Sequence, residues 1–538
     1  MKFALYGLPC SGKTTLMSQL HGIKTVYGSD ELKRMTNGGF SKLSAEEKNA
    51  ARRQYAERIA AMKETALSDG HYSFLSEVVF TQWDAEAYDV FIYLYCKPEV
   101  LAERYAQSQK NARYAKLPLE RISAWQRFEM ESLRNECHLR NKDFYAADAS
   151  VLTADMLSDF LRRIENGFSA YQLAESIVQK IRETYPSPRK LCITDGDKTF
   201  FEQDSLRMCA KNFVTRVFDG DFYTGFQSVL FSEETKEINL DFTRIRDLER
   251  NRIVAEKMKD EAYFILSAGI APLWERIGEI FSIPNIVASP LISSDTKYYV
   301  VKLLRAAGYA VTAFGDSKND LYMLQEADEG YLFIGERLSR SLKNSHIKGI
   351  HLLYDKSPCI LSEYEPLQED IAICKSDSGI QGAFLAAAHL RLGAKLGVKI
   401  REEVPQADTA VLVMERGGRF FGDGLYSAFG GVFYPYNACH EMFPAISQPV
   451  IIIVDSVINT GNSILKAIEA IKSRNPDAEI LIATNVIQRK AIEKLSAHKI
   501  FAIRVSDNSF VGRNQAVQEG NSGPDTADRL FNLIPDGM

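Results

Sequence analysis

Hydrophobic residues occur in short runs along the chain, and each run is followed first by a polar loop and then by a helical pattern. Three runs are rich in strand-forming residues: Phe3 to Tyr6, Leu191 to Thr194 and Val450 to Val454. Continuous apolar runs of this length are typical of strands buried on both faces of a parallel sheet. The pattern predicts an α/β protein of three domains, each a mainly parallel sheet flanked by helices.

The length of 538 residues supports several domains, because single domains usually hold about 150 residues. The stretch Tyr185 to Arg189 carries two prolines that end a helical pattern, and it precedes the second strand run. Tyr354 to Ser376 lacks firm periodicity and contains two more prolines. We therefore predict domains at 1–185, 186–365 and 366–538.

Composition narrows the functional classes. Hydrophobic residues make up 46% and charged residues 25% of the chain, which is typical of globular proteins. The net charge of -5 gives no general attraction to nucleic acid, so such a partner is not favoured. No signal peptide, membrane span or cysteine pair at metal spacing is evident. We expect a cytoplasmic protein without a membrane partner, and self-association stays open.

The first strand run leads into a phosphate-binding pattern. Gly7 to Thr14 reads G-x-x-x-x-G-K-T and precedes a helical segment. Gly7 and Gly12 let backbone N–H groups surround a β-phosphate, Lys13 reaches the β- and γ-oxygens, and the Thr14 hydroxyl is suited to Mg²⁺. The motif predicts binding of ATP and Mg²⁺.

Residues 1–150 resemble the P-loop kinases that include polynucleotide kinase, zeta-toxin-like and small-metabolite kinases. The resemblance implies that Asp30 is the base on the acceptor hydroxyl and that Arg113 belongs to a lid over the transferring phosphoryl group. A helix N-cap for Asp30 and a solvated surface position for Arg113 are the alternatives. The usual second acidic motif is not evident, although Leu75 to Val78 has the pattern of a strand end.

The second strand run leads into an acidic motif. Ile193 to Thr199 contains Asp195 and Asp197 in the pattern D-x-D-x-T. Two carboxylates at this spacing can act as a nucleophile and as a general acid and base. Ser267 ends a further apolar run, Lys297 follows, and Phe314 to Asp320 supplies a third acidic loop. Chance acidic turns are the alternative, but four motifs in this order are specific.

These motifs resemble the haloacid-dehalogenase phosphatase superfamily, nearest to its phosphoserine-phosphatase branch, over residues 190–350. The resemblance implies that Asp195 is the nucleophile, that Asp197 is the general acid and base, and that Ser267 and Lys297 hold phosphoryl oxygens. It also implies an Mg²⁺ site, as hard carboxylate oxygens suit that ion. Its expected ligands are Asp195, Asp197, Asp316 and Asp320.

About 65 residues separate the first two of these motifs and include Phe218 to Tyr223. The segment is helical in pattern and resembles the inserted helical cap of the same superfamily. A cap that closes over the site favours a small phosphomonoester over a polymer.

The third strand run continues into an acid and a Thr-Gly turn. Val450 to Ser463 contains Asp455, Thr460 and Gly461 before a helical pattern. Such a loop can offer N–H groups and hydroxyls to a 5′-phosphate, while the acid binds ribose hydroxyls.

Residues 370–538 resemble type I phosphoribosyltransferases, particularly their uracil branch. The resemblance implies phosphoribosyl diphosphate as a substrate, with its diphosphate on Arg416 and its ribose on Asp455. Asp525 lies in a stretch, Gly523 to Phe531, that is similar to the loop for base and metal. The expected 5′-phosphate ligands are Thr460, Gly461 and Ser463. Ser456, Glu415 and Asn462 depart from the family pattern, and a nucleotide-sensing domain without activity is the alternative.

The three sites together favour a multifunctional enzyme of nucleotide metabolism in nucleobase or nucleoside salvage. Its partners would be small nucleotides, nucleosides or bases, and its kinase and phosphatase would act on different positions or compounds. Nucleic-acid end processing by a 5′-kinase and 3′-phosphatase is one alternative, and a regulatory sensor of ribose-phosphate ligands is another. The net charge, the expected cap and the third domain weigh against end processing.

Overall fold

Three parallel sheets organise the protein. The computed structural model describes residues 1–75, 77–210, 213–218, 222–335, 337–342, 345–437, 442–507 and 525–533. Helices flank each sheet, which confirms the predicted α/β class and the three predicted strand runs. None of the described helices combines the length and apolar character needed to cross a bilayer.

The first sheet has the strand order β2-β3-β1-β6-β7, and all its pairings are parallel. A small antiparallel pair, β4 and β5, lies apart from it. The strands are β1 (Lys2–Tyr6), β2 (Lys24–Val26), β3 (Ala66–Asp69), β4 (Ser73–Phe74), β5 (Glu77–Val78), β6 (Val90–Tyr95) and β7 (Asp143–Asp148). The helices are α1 (Lys13–Ser18), α2 (Gly28–Met35), α3 (Ala45–Ala61), α4 (Gln82–Ala87), α5 (Pro98–Gln107), α6 (Leu119–Leu139) and α7 (Ala154–Glu165).

The second sheet has the order β10-β9-β8-β11-β12-β13, so the strand before Asp195 is central. Its strands are β8 (Lys190–Thr194), β9 (Ala262–Ser267), β10 (Ile286–Ala288), β11 (Ala310–Gly315), β12 (Glu329–Ile334) and β13 (His351–Tyr354). The helices are α8 (Ala170–Thr184), α9 (Ser205–Cys209), α10 (Gly225–Glu234), α11 (Arg252–Lys257), α12 (Ala271–Phe281), α13 (Ser294–Ala306) and α14 (Leu321–Glu326).

The third sheet has the order β14-β19-β18-β17-β15-β16. Its strands are β14 (Cys359–Ile360), β15 (Thr409–Met414), β16 (Val432–Tyr436), β17 (Val450–Ile458), β18 (Glu479–Gln488) and β19 (Lys499–Ser506). The helices are α15 (Gln368–Cys374), α16 (Ala383–Glu403), α17 (Arg419–Phe429), α18 (Asn462–Lys472), α19 (Arg489–Lys494) and α20 (Thr526–Leu530).

The packing of one helix, α8, and the pairing of one strand, β14, differ from the predicted domain boundaries. Helix α8 precedes residue 185, yet its apolar face, including Ile177 and Ile181, packs with Leu191 and Ile193 of the second sheet. Strand β14 precedes residue 365, yet it pairs with β19 of the third sheet. The first domain therefore ends before α8, and the third begins before β14. The prolines punctuate the chain, but hydrophobic packing decides which core each element joins.

The segment expected to form a cap is divided between two cores. Helix α10 packs on the edge strand β7 of the first sheet, where Phe226 and Val229 join its hydrophobic core. The Thr224 hydroxyl accepts a hydrogen bond from the Ala146 N–H at 3.0 Å, and Gln227 donates to the Ala146 carbonyl at 2.8 Å. The helix thus covers a sheet edge that would otherwise expose backbone groups. Residues 219–221 of the predicted cap motif lie outside the described residues.

Candidate active sites

The loop after β1 wraps around the ammonium group of Lys13. The Lys13 Nζ donates to the carbonyl of Gly7 at 2.5 Å and to that of Leu8 at 3.1 Å. Burial lowers the pKa of Lys13 to about 8. A Cβ atom on Gly7 would lie 2.6 Å from the Leu94 carbonyl oxygen, so the close approach to β6 requires glycine. Thr14 is exposed at the start of α1 and lines the cleft into which the loop opens.

The loop opens into a cleft of about 970 Å³. Cationic side chains from the loop, α3, α5 and the segment after α5 line this cleft: Lys13, Lys48, Arg52, Arg104, Lys110 and Arg113. The carboxylates among its lining residues are Asp69 and Glu77. The cations therefore outnumber the carboxylates, which favours a polyphosphate ligand. Arg113 lines the same cleft as the phosphate-binding loop, and its role in a lid stays a prediction.

Asp30 does not lie in the cleft, although the preceding Ser29 does. The Asp30 side chain is 73% exposed and forms an ion pair with Lys33 at 2.9 Å, one helical turn away. The role of Asp30 as the base on the acceptor hydroxyl stays a prediction, and its charge contributes to the raised pKa of Asp69, which lines the cleft. Helix α2 begins at Gly28, which turns Asp30 onto the solvent side of its first turn.

Asp69 is the acidic residue that the sequence analysis missed. It ends β3, the strand beside β1, and accepts a hydrogen bond from the Gly28 N–H at 2.7 Å. Burial raises the pKa of Asp69, while this hydrogen bond and the charge of Lys13 lower it. The signal in the sequence is an acid after the short run Ala66 to Ser68. The sheet order, which places β3 next to β1, is what makes this signal meaningful.

Three carboxylates meet at the carboxyl edge of the second sheet. Oxygen atoms of Asp195, Asp316 and Asp320 all lie within 4.8 Å of one another. Asp195 follows β8 and Asp316 follows β11, and these strands are neighbours. Lys297 on α13 donates to Asp195 at 2.5 Å and to Asp320 at 2.7 Å. The set can hold a hard divalent cation, since each carboxylate offers an oxygen at suitable separation.

Burial raises the pKa values of the carboxylates at this site. Burial raises the pKa of Asp195 to about 6, although the charge of Lys297 lowers it. Burial and the charge of Asp320 hold the pKa of Asp316 well above its usual range. Buried like charges are costly unless a cation compensates them. Lys297 supplies one positive charge for the three carboxylates, and a bound divalent cation would balance the other two negative charges.

Asp197 and Ser267 flank this group. The Asp197 carboxylate accepts from the Ser205 N–H at 2.6 Å and is not one of the three clustered carboxylates. Its role as a metal ligand stays a prediction. Burial and the charge of Asp204 raise the pKa of Asp197 to about 7. Ser267 is buried at the end of β9, beside β8, and its Oγ accepts from the Gly269 N–H at 3.0 Å. Asp197 and Ser267 both lie at the same edge of the second sheet as Asp195.

The turn after Asp195 is shaped by a tryptophan. A Cβ atom on Gly196 would lie 2.2 Å from the ring of Trp274, which is fully buried. Glycine at this position therefore lets the indole pack directly under the acidic turn. Lys198 has a φ of 57°, and this left-handed residue brings the chain back toward the sheet. The close packing fixes the direction of the backbone between Asp195 and Asp197.

In the third sheet, Asp455 lies near the end of the central strand β17. Burial raises the pKa of Asp455 to about 7, and the charge of Asp525 contributes in the same direction. Asp525 therefore lies within electrostatic range of Asp455. Asp525 also caps α20, because its side chain accepts from the Ala527 N–H at 2.8 Å. Gly523 and Pro524 of the same predicted motif lie outside the described residues.

The hydrogen-bonding contacts of Ser456 account for one of the departures from the family pattern. Its hydroxyl donates to the Gly417 carbonyl at 2.6 Å and lies 3.2 Å from the Nδ1 of His389 on α16. It thus links β17 to the loop after β15 and to the long helix behind it. Burial lowers the pKa of His389 to about 4, so the imidazole is neutral. A hydroxyl makes these contacts without adding a buried charge.

Arg416 forms a partly exposed ion pair with a residue of the C-terminal helix. Its guanidinium lies 3.1 Å from Asp528 of α20, and its side chain is 44% exposed. Glu415 beside it pairs with Arg419 at 2.6 Å. The charges of this loop are therefore matched within the protein.

The loop from Thr460 to Ser463 precedes α18. Gly461 has a φ of 74° and caps the helix, while Ser463 is exposed in its first turn. The Asn462 N–H donates to the Thr460 hydroxyl at 3.4 Å. N–H groups at a helix N-terminus can bind phosphate, so the predicted role of this turn stays a prediction. Lys494 of α19 donates to the Asn462 side chain, which adds a cation beside the loop.

Comparisons with known proteins agree with two of the three family resemblances. Residues 6–164 match the family model described as AAA domain, and residues 387–532 match the model of uracil phosphoribosyltransferase. The chain therefore carries a P-loop kinase-like domain and a phosphoribosyltransferase domain. These matches confirm the first and third resemblances at this level. No curated protein matches the sequence.

Solved structures match single domains of the chain. Xanthine-guanine-hypoxanthine phosphoribosyltransferase of Helicobacter pylori is 20% identical over 22% of this chain and 81% of its own, with a TM-score of 0.19. Orotate phosphoribosyltransferase of Mycobacterium tuberculosis is 18% identical over 26% and 80%, with a TM-score of 0.20. A HAD family hydrolase of Salmonella enterica serovar Typhi is 16% identical over 29% and 71%, with a TM-score of 0.19. Similarities this low say nothing about activity.

Proposed function

We propose that the chain is a multifunctional enzyme of nucleotide metabolism. It combines an ATP-dependent kinase, an Mg²⁺-dependent phosphomonoesterase and a uracil-like phosphoribosyltransferase, and it acts in nucleobase or nucleoside salvage. One observation carries the proposal: each of the three sheets presents phosphate-handling residues at the carboxyl ends of its inner strands. In open α/β sheets this edge is where ligands bind.

In the kinase, the triphosphate would lie along the cleft over the β1 loop. Lys13 would exchange its contacts with the loop carbonyls for phosphate oxygens, and Thr14 would face Mg²⁺. Arg113 would neutralise charge on the transferring group. Asp69 would orient the acceptor hydroxyl, because it alone of the two candidate aspartates lines the cleft.

In the phosphatase, Asp195 would attack phosphorus and form an aspartyl phosphate, while Asp197 would protonate the leaving oxygen and then activate water. The raised pKa of Asp197, about 7, suits a group that carries a proton near neutrality. Lys297 and Ser267 would hold the phosphoryl oxygens. Mg²⁺ on Asp195, Asp316 and Asp320 would offset the charge that these carboxylates and the phosphate bring together.

In the transferase, the turn from Thr460 to Ser463 would hold the 5′-phosphate of phosphoribosyl diphosphate, and Asp455 would bind ribose hydroxyls. Arg416 would bind the diphosphate after leaving Asp528. Asp525 lies close enough to Asp455 to influence its pKa, which supports a shared site for the two acids. The base that the site accepts is expected to be set by the segment before Asp525.

The transferase is tested by incubating the full chain with Mg²⁺, phosphoribosyl diphosphate and each common nucleobase. We expect diphosphate release that depends on one base and yields the matching nucleotide. Asp525→Asn should abolish the base-dependent signal, while an exposed control, Asp477→Asn, should retain it. Absence of signal with every base would contradict the transferase assignment.

One feature of the kinase cleft favours a second candidate, 5′-phosphorylation of nucleic acid. Lys48, Arg52 and Lys110 lie beyond the phosphate-binding loop and extend the positive lining of the cleft. Such an extension suits a polyanionic acceptor. Phosphorylation of a 5′-hydroxyl oligonucleotide, with mononucleosides ignored, would establish this candidate in place of salvage.

A further inference from the structure

Helix α6 of the first domain packs against the two helices that bring charges of the candidate phosphatase site together. Helix α13 carries Lys297, and α14 begins directly after Asp320, to which Lys297 donates at 2.7 Å. Arg134 of α6 is buried, and its guanidinium lies 3.1 Å from Asp295 of α13 and 4.6 Å from the centre of the Tyr322 ring of α14. A side chain of the kinase-like domain therefore contacts both helices on which this charge pair depends.

The first turn of α13 carries opposite charges on opposite sides. Asp295 and Lys297 are two positions apart, which places them about 200° apart around the helix axis. Asp295 is 1% exposed and contacts Arg134 of α6, whereas Lys297 is equally buried and contacts the clustered carboxylates of the second sheet. This end of the helix is thus held by one ionic contact with the first domain and by others with the candidate phosphatase site.

Arg134 is the cation that balances the charge of Asp295. The Nε2 atom of His138 also lies 2.9 Å from Asp295, but burial lowers the pKa of His138, so its imidazole is neutral near pH 7. A buried carboxylate that loses its countercharge is strongly destabilising. Loss of Arg134 should therefore displace Asp295, and with it the turn that carries Lys297.

Further contacts fix the place of Arg134 itself. Its guanidinium lies 4.9 Å from the centre of the Phe144 ring of β7, in addition to its contact with Tyr322. Along α13, the Tyr299 hydroxyl donates to the Lys142 carbonyl of the first domain at 2.7 Å. Because a planar guanidinium packs on rings and pairs with a carboxylate at once, lysine is an incomplete substitute at this position.

We propose that Arg134 is a positioning residue for Lys297, so that the kinase-like domain completes the candidate phosphatase site. The inference rests on the proposed phosphomonoesterase, in which Lys297 holds phosphoryl oxygens. Arg134 acts through Asp295 and the first turn of α13, and it contacts neither the substrate nor the metal ion. The ammonium of Lys297 reaches Asp195 and Asp320 when this turn is held in place.

Hydrolysis of p-nitrophenyl phosphate by the full chain with Mg²⁺ tests the positioning role. Arg134→Ala should lower kcat by about a hundredfold, as expected when a group at the reacting centre moves by about 1 Å. It should also raise the KM and the inhibition constant for inorganic phosphate about tenfold, because the contact of Lys297 with phosphoryl oxygens weakens. A partly unfolded population would lower kcat without changing either constant.

Two further variants control this comparison. Arg134→Lys keeps the charge and should recover part of the lost activity and affinity. Arg121→Ala removes an exposed arginine from the same helix and should behave as wild type. Thermal melting establishes that each variant is folded, and Arg134→Lys carries the same comparison where Arg134→Ala does not fold.

Acetylation of Lys297 by acetic anhydride tests the geometry independently of activity. Peptide mass spectrometry should show Lys297 protected in wild type and in Arg121→Ala, and several-fold more reactive in Arg134→Ala, with exposed Lys466 as the internal reference. The same change in a chain that hydrolyses no phosphomonoester would support the positioning role and refute the proposed phosphatase. Unchanged Lys297 reactivity in folded Arg134 variants, or a KM and inhibition constant equal to those of Arg121→Ala in an active enzyme, would overturn the proposal.

Discussion

The candidate phosphatase site and the candidate phosphoribosyltransferase site arrange similar charges in different ways. In the first, Lys297 is 1% exposed and bridges two of three clustered carboxylates, so opposite charges are assembled where substrate would react. In the second, the candidate diphosphate ligand Arg416 is 44% exposed and paired with Asp528 of another helix. The phosphatase-like site is thus preassembled, whereas the transferase-like loop has to exchange an internal ion pair for its ligand.

The difference follows from position. Lys297 comes from α13, which is packed on the second core, and a buried ammonium needs carboxylate partners to remain charged. Arg416 comes from a loop at the sheet edge, where exposed ion pairs contribute little and exchange readily. A preassembled site is expected to be sensitive to loss of any member, and an exchangeable site is expected to respond in opposite directions to loss of either ion-pair partner.

The largest effect should come from Asp195→Asn. An amide cannot act as the nucleophile, so we expect loss of phosphomonoesterase activity by about a thousandfold or more. The measurement is steady-state hydrolysis of nucleoside monophosphates and of p-nitrophenyl phosphate with Mg²⁺. Asp247→Asn, at an exposed position in the same domain, is the control. Equal activity in Asp195→Asn and the control would remove the basis for calling this site preassembled.

Acid should weaken the third domain through His389. The pKa of His389 is about 4 in the folded protein, against about 6.5 for an unperturbed histidine. Between these values the unfolded chain binds the proton and the folded chain does not, so stability falls as the pH falls. Arg529 contributes to the lowered pKa.

This linkage predicts a loss of about 2 kcal/mol from the third domain between about pH 7.5 and pH 5. His389→Gln should remove that part of the pH dependence, because glutamine does not titrate. Thermal unfolding of both proteins at the two pH values measures it. The same pH-dependent loss in wild type and variant would show that the imidazole is not responsible.

Arg416→Ala should raise the KM for phosphoribosyl diphosphate by about tenfold or more, because a charge-assisted contact to the diphosphate is lost. The kcat should change less than the KM if the contact is equally strong in the ground and transition states. Initial rates at varied phosphoribosyl diphosphate give both constants. Arg474→Ala, far from this loop in sequence and bound to Phe443, is the control.

The smallest effect should come from Asp528→Asn, and it should have the opposite sign. Removal of the negative charge frees Arg416, so the KM for phosphoribosyl diphosphate should fall by a few-fold, within the range of an exposed ion pair. An increase in KM would indicate that Asp528 itself takes part in binding and that the loop does not exchange its ion pair.

Sequence patterns predicted more of the fold than of the details of the sites. The runs before Gly7, Asp195 and Asp455 are inner strands, because continuous apolar runs report burial on both faces. The motif residues of the second site converge because β8, β9 and β11 are adjacent. Local pattern could not assign α8 or α10 to a core, since both are amphipathic or apolar segments that any core could accept.

The acidic residue of the kinase cleft shows the same limit of prediction from local sequence patterns. Asp30 follows a motif-like stretch, but its orientation depends on where α2 begins. Asp69 follows an unremarkable run, and its importance comes from the pairing of β3 with β1. Ser456 likewise departs from a family pattern, and its hydrogen bond to the Gly417 carbonyl requires the loop conformation. Residues whose roles depend on neighbours distant in sequence were therefore the ones that pattern alone missed.

We propose that one chain carries three separate sites that act on phosphorylated compounds. The decisive measurement is of all three activities in one set of proteins: wild type, Lys13→Ala, Asp195→Asn and Asp455→Asn. We expect each variant to lose one activity, in the order kinase, phosphomonoesterase and phosphoribosyltransferase, and to retain the other two. Loss of two or more activities in a single folded variant, or wild-type protein without any of them, would contradict it.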